Sequence, residues 1–201
     1  MRRSFAHAPS PMLAGVIRER TPKAAIAEIK NCHYHGATCI DLHLSCLDDK
    51  YKTIESIREI VNFCHMPIMS LNYDQTYDWQ HIASTEEERV DLLLKSVEAG
   101  VDCVDIQSYT YDYESKIALR TEFADQKYHF IVEGIKEFVL DTKIINKQCE
   151  LIEKIHSKGT EVLLSTHPLV EMSCDQVVEL ALFLEKRNPD FIKIVATAET
   201  E

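Results

Sequence analysis

Short apolar runs at residues 13–17, 38–44, 67–72, 101–107, 161–167 and 190–196 alternate with segments whose apolar residues recur at helical spacing. This alternation is the feature that most limits what the chain can fold into. A strand followed by a helix and another strand pairs in parallel, because the helix carries the chain back to the end where the first strand began. Six such runs with no break in composition predict one α/β domain over residues 1–201. The helix starts are written in capping chemistry. Thr21-Pro22 sets a cap residue before a proline at the first helical position, and Gly36 offers a stop. Ser84-Thr-Glu-Glu87 and Ser173-Cys-Asp-Gln176 both read as capping boxes, and Gly100 closes the helix that the first of them opens.

Three of the predicted helices show an inward stripe. Ile54, Ile57, Val61 and Cys64 form one, Val90, Leu93, Leu94 and Val97 a second, and Val177, Leu180, Ala181 and Leu184 a third. The charged run Glu86-Glu-Glu-Arg89 is expected to be a solvated face. Residues 1–11 read as a loose leader with two prolines. Residues 108–159 form an extended connection between the fourth and fifth strands, an irregular tyrosine-rich loop followed by one or two helices. The loop at 73–82 is rich in aromatic and polar residues.

A doubly wound sheet and a (β/α) barrel both fit this order. Two observations favour a (β/α) TIM-barrel type. No Gly-x-Gly-x-x-Gly turn follows a strand in a chain with only five glycines, which argues against a dinucleotide cofactor. Four strands also carry polar residues towards their C-terminal ends, where barrel enzymes assemble their sites. The chain ends just after the sixth strand, so the expected barrel lacks its last two βα units. Its two open edges predict a homo-oligomer that covers strands one and six, with exchange of elements as one route.

Charge and cysteine usage narrow the partners. A formal net charge of −11 and a pI near 5.3 argue against nucleic acid and acidic membranes. No apolar run approaches the roughly 20 residues that span a bilayer, and the first residues lack the apolar core of a signal peptide. Seven cysteines without framework spacing point to thiols in a reducing cytoplasm. No Cys-x-x-Cys or His-x-x-x-His pair suggests a metal, and Cys32 with His35 is a weak alternative.

Strand periodicity then picks out side chains. On the second strand Cys39, Asp41, His43 and Ser45 share one face, and on the fourth Cys103, Asp105 and Gln107 do so. The sixth strand sets Phe191, Lys193 and Val195 on one face, with Lys193 in mid-strand. A lysine in a buried strand is either a nucleophile for carbonyl carbon or an edge residue reaching to water. His167, at the end of the fifth strand, is either an acid–base group or a strand-end histidine satisfied by backbone. Tyr109, Tyr111 and Tyr113 suit loop packing better than a binding platform, and Cys39, Cys46 and Cys103 suit a core better than nucleophiles.

Taken together and in order, these motifs resemble a family. Val162-Leu-Leu-Ser-Thr-His167 resembles the strand-five motif of the type I 3-dehydroquinate dehydratases, in which Ser-x-His carries the catalytic histidine. Asp190-Phe-Ile-Lys-Ile-Val195 resembles the strand-six motif that bears the Schiff-base lysine, and Ala99-Gly-Val-Asp-Cys-Val-Asp-Ile106 matches the passage into strand four. The resemblance implies a cofactor-independent, metal-free lyase of the shikimate pathway, commonly a homodimer, that dehydrates a small keto acid. It implies Lys193 and His167 as catalytic residues, with Asp41, His43, Tyr73 and Gln107 at positions that touch substrate.

Departures accompany the likeness. The family's Glu-x-Arg-x-Asp on strand two is here Asp41, His43 and Ser45, and its Thr-Phe-Arg on strand three is Leu71-Asn-Tyr73. Its strand-four glutamate is Gln107, and the aspartate after its catalytic histidine is Pro168. Losing two guanidinium groups weakens capture of an anionic substrate. The chain is therefore expected to be either a divergent dehydratase or a non-catalytic barrel homologue that binds a keto acid or acts in assembly.

Overall fold

The computed structural model describes residues 3–8, 10–73, 85–112, 139–168 and 171–196. Strands β1 (Ala14–Ile17), β2 (Cys39–His43), β3 (Ile68–Leu71), β4 (Cys103–Gln107), β5 (Glu161–Thr166) and β6 (Phe191–Ile194) alternate with helices α1 (Pro22–Tyr34), α2 (Ile54–Phe63), α3 (Glu86–Ala99), α4 (Thr142–Ser157) and α5 (Cys174–Glu185). The six strands form one sheet in chain order, β1-β2-β3-β4-β5-β6. A doubly wound sheet reverses its strand order part-way, whereas a barrel adds each strand beside the last. The order is that of the (β/α) barrel, as the sequence predicts. The chain divides into two compact units, Met1–Asp105 with Ile155–Val162, and Ile106–Lys154 with Leu163–Glu201.

In the first unit each helix begins as its cap dictates. The Thr21 hydroxyl accepts the Ala24 N–H at 3.1 Å, and Pro22, Ala25 and Ile29 turn inward along α1. Gly15 on β1 is forced by this packing, because a Cβ there would lie 2.7 Å from the Cys32 side chain. Thr53 caps α2, whose buried residues are Ile57, Ile60 and Val61, with Cys64 buried just beyond. β2 ends earlier than its pattern suggests. Leu44–Cys46 is a 3-10 turn, so Ser45 leaves the strand face that carries Cys39, Asp41 and His43.

Helix α3 corrects two expectations. Its capping box is Thr85 with Glu88, one residue later than the sequence reading. Thr-Glu-Glu-Glu offers overlapping matches to one motif, and the later start frees Glu86 to meet Arg89. The Arg89 guanidinium grips both Glu86 oxygens at 2.6 and 2.7 Å and donates to the Asn72 carbonyl at 3.1 Å. Arg89 is 1% exposed, so this end of the charged run is an internal ion pair rather than a solvated face. A buried Ser70–Ser96 hydroxyl pair at 2.7 Å joins β3 to α3.

Of the expected leader, Arg3, Ser4 and Phe5 are tied into the first unit. Arg3 Nε lies 3.0 Å from the buried Asp102 carboxylate, and Arg3 Nη1 donates to the carbonyls of Val61 and Cys64. Asp102 also accepts the Ile68 N–H at 2.9 Å. The Glu161 carboxylate takes the Ser4 hydroxyl and the Phe5 N–H at 2.8 Å for the latter. Arg3→Ala strips the cation from a carboxylate that water barely reaches. It should cost about 2–3 kcal/mol of stability, read as a lower denaturant midpoint at unchanged slope.

In the second unit, α5 starts at the Ser173–Gln176 capping box that the sequence predicts and buries Leu180 and Leu184. Val177 and Ala181 are only half-buried, and so are all four residues of β6, where the sequence predicts a buried strand. The connection after β4 carries α4, and residues 113–138, including Tyr113, lie outside the described residues. Most of the expected loop at 73–82 and the Ser84 cap fall outside them as well. No helix among the described residues is long and apolar enough to cross a membrane.

Candidate active site

The register of the second unit assembles a row of side chains. Ser165 of β5 pairs with Lys193 of β6. The Ser108 N–H donates to the Ser165 carbonyl at 2.8 Å, which in a parallel ladder sets Gln107 opposite Ser165. Gln107, Ser165 and Lys193 therefore lie side by side on one face of β4, β5 and β6. The Val195 N–H donates to the Thr166 carbonyl at 2.9 Å, placing His167 opposite Val195 and one pleat beyond Ser165 on that same face. Strand rise and spacing then put the Cα atoms of Lys193 and His167 about 8 Å apart. A lysine side chain spans most of that distance.

The electrostatics follow from this neighbourhood. Burial first, and then the positive charge of Lys193, push the His167 imidazole down to about 4 from 6.5. Both influences act in the same direction, and the amide at position 107 adds no charge to oppose them. His167 is thus neutral at pH 7 and free to accept a proton, as a weaker base than an ordinary histidine. Lys193→Met removes the second influence and should raise the His167 titration midpoint, followed by imidazole proton shifts in NMR. An unchanged midpoint would mean that the two groups do not sense each other.

The other predicted residues belong to the first unit. His43 pairs in register with Leu71, and Leu71 with Asp105, so these three form a row across β2, β3 and β4. The Tyr73 hydroxyl donates to Asp105 Oδ2 at 2.7 Å, with both side chains buried. Tyr73, the first residue of the predicted loop, therefore buries its side chain. Asp41 Oδ2 lies 3.7 Å from His43 Nε2, and Asp41 Oδ1 is buried with no hydrogen-bond partner among the described residues. Burial, and to a lesser degree Asp41, push the Cys39 thiol up, so it is no nucleophile at neutral pH. Among the described residues no group of three or more His, Cys, Asp or Glu side chains is placed to hold a metal ion.

The sequence alone does not single out two of these residues as site residues. Asp105 lies in strand alternation with Gln107, which was a usable signal, and Ser165 is the serine of the Ser-x-His motif. Their neighbours across the ladder are what give them meaning.

No protein-family model matches the chain, and no curated protein matches it in sequence. Solved structures do match. A type I 3-dehydroquinate dehydratase from Clostridium difficile, solved with covalently modified comenic acid, superposes with a TM-score of 0.65 at 14% identity. That match covers 94% of this chain and 64% of the other. The 3-dehydroquinate dehydratase from Enterococcus faecalis gives 0.68 at 13% identity, covering 100% and 72%. That from Geobacillus kaustophilus HTA426 gives 0.66 at 11%, covering 95% and 63%. The fold is theirs. At such identities the likeness carries the architecture and not the reaction, and this chain spans just under two thirds of the first of these proteins.

Proposed function

We propose that the chain performs lysine Schiff-base chemistry on a small keto acid, as a divergent relative of the dehydratases that dehydrates 3-dehydroquinate to 3-dehydroshikimate. The observation that carries this reading is the register that sets Lys193 and His167 on one face of adjacent strands, one pleat apart. The Lys193 ammonium first gives a proton to solvent; the free amine then attacks the substrate ketone, a C–N bond forms, and the carbonyl oxygen leaves as water to give an iminium. The iminium draws electrons from the neighbouring C2–H bond, and His167 takes that proton. The same imidazolium then protonates the departing C1 hydroxyl, and hydrolysis releases product from the lysine.

Gln107 replaces the family's glutamate with a neutral group. It can orient an imidazole but brings no charge to stabilise the imidazolium, which argues for a slower catalyst. The first unit supports a second reading. Its row offers an imidazole at position 43 and a phenol already bonded to Asp105 at position 73, where the family clamps substrate with arginine. A barrel that binds a keto acid without turning it over would look the same there.

Borohydride reduction in the presence of 3-dehydroquinate, read by intact mass and peptide mapping, separates the two. A single reduced adduct on Lys193 supports the enzyme. Folded protein that binds the compound and yields no adduct supports the binding homologue. The enzyme reading further places the protein in the cytoplasm as a homo-oligomer, which cell fractionation and light scattering check.

A further inference from the structure

The end of β4 is held by a side chain that the chemistry above does not use. Directly after the strand, the Thr110 N–H donates to the Gln107 carbonyl at 2.9 Å and closes a turn. The carbonyls of Ser108 and Thr110 both accept from one group, the side-chain amide nitrogen of Gln148 on α4, at 2.9 and 2.7 Å. Gln148, Ser108 and Thr110 are all 0% exposed, so bulk solvent does not compete for these bonds. Its oxygen accepts from Arg187 Nε at 2.6 Å. Arginine only donates, so the amide oxygen must face it and the nitrogen must face the two carbonyls. Arg187 is itself fastened. Its two Nη atoms donate to the Phe183 and Val139 carbonyls at 3.2 Å each, and its guanidinium lies 4.8 Å from the centre of the Phe183 ring.

We propose that Gln148, locked in orientation by Arg187, is the positioning residue of the Lys193–His167 centre. It fixes the turn that leaves β4 and thereby keeps Gln107 in row with Ser165 and Lys193. The argument is geometric. Gln107 is the last residue of its strand, where the ladder holds the chain least, and its carbonyl belongs to the turn that Gln148 braces. The Ser108 N–H that bonds Ser165 belongs to the same turn, so loosening it loosens β4 from the strand that bears His167. This inference deepens the Schiff-base reading and rests on it for the identity of the reacting groups.

The test compares Gln148→Met and Gln148→Glu with the unaltered chain, using Arg3→Ala as a control that lowers stability from the other unit. Two quantities are read well below each melting temperature: the rate of borohydride trapping with 3-dehydroquinate, and the His167 midpoint by NMR. Gln148→Met should slow trapping about tenfold or more, since small misplacements of reacting groups have effects of that size. It should also raise the His167 midpoint from about 4, as water gains access. Arg3→Ala should leave both at their wild-type values. Gln148→Glu keeps the bond to Arg187, which neutralises its charge, and loses both donors; it should behave like Gln148→Met. If Gln148→Met does not fold, Gln148→Glu decides. A Gln148 variant that melts lower yet keeps the wild-type midpoint and trapping rate would reduce the residue to a structural brace and overturn the proposal. Should the wild-type protein trap nothing, the Schiff-base reading falls, while the His167 midpoint still decides whether Gln148 positions the centre.

Discussion

If the chain runs the proposed Schiff-base chemistry, His167→Ala should leave Lys193 able to form a reducible adduct while turnover of 3-dehydroquinate falls by about 10²–10⁴-fold, the usual worth of a positioned acid–base group. Lys193→Ala should abolish both. The asymmetry follows from the order of bond changes. In the proposed reaction the attack of the amine on the ketone can proceed without His167, because solvent supplies and removes protons there at a lower rate. Proton abstraction beside the iminium needs a base held against one particular carbon, and His167 is the group that the register sets one pleat from Lys193. Steady-state assays alongside borohydride trapping make the comparison. Equal loss of trapping and turnover in His167→Ala would place the histidine in the first step instead.

Acid should destabilise this protein through the same imidazole. His167 titrates at about 4 in the folded chain and near 6.5 when unfolded. Between those values the unfolded chain binds more protons, so the slope of stability against pH is positive there. The contribution is complete above about pH 6.5 and is lost as pH falls through about 4. A shift of that size corresponds to an upper limit of about 3 kcal/mol, and partial solvent access to the ring brings the expectation to about 2 kcal/mol. Denaturant midpoints at pH 7 and pH 4.5, compared between wild type and His167→Gln, isolate it from the carboxylates that both proteins share. Parallel losses in the two proteins would contradict the prediction.

Strands and helix starts were legible because they are local. Alternation, Thr21-Pro22, Gly100 and Ser173–Gln176 each act over a few residues, and the structure follows them. Lys193 and His167 were legible as candidates because a lysine in mid-strand is conspicuous among Phe191, Ile192 and Ile194. What sequence could not reveal is which polar side chains find distant partners. Arg89 looks like one more charge on a helix until Glu86 and Asn72 enclose it. Tyr73 looks like a loop aromatic until Asp105 accepts its hydroxyl from 32 residues away. Gln148 and Arg187 carry no local signal at all, since their meaning comes from a bond across 39 residues. The half-buried β6 is of the same kind, because burial of a strand depends on what lies over it and not on its own composition.

The fastening of Arg3 to Asp102 and of Ser4 and Phe5 to Glu161 bears on the order in which this protein can be completed during synthesis. The Ser4–Glu161 pair is separated by 157 residues. At roughly 5–20 residues per second, the early segment waits roughly 8–30 s after its own translation before Glu161 is even polymerised. Contacts of such long range also form late in folding, because loop closure comes before any return in binding. Throughout that interval Asp102 emerges ahead of Glu161 and can recruit Arg3 alone. The segment would thus be captured in two stages, first by the start of β4 and then by the start of β5, with its final seat available only to a nascent chain that has already laid down four strands.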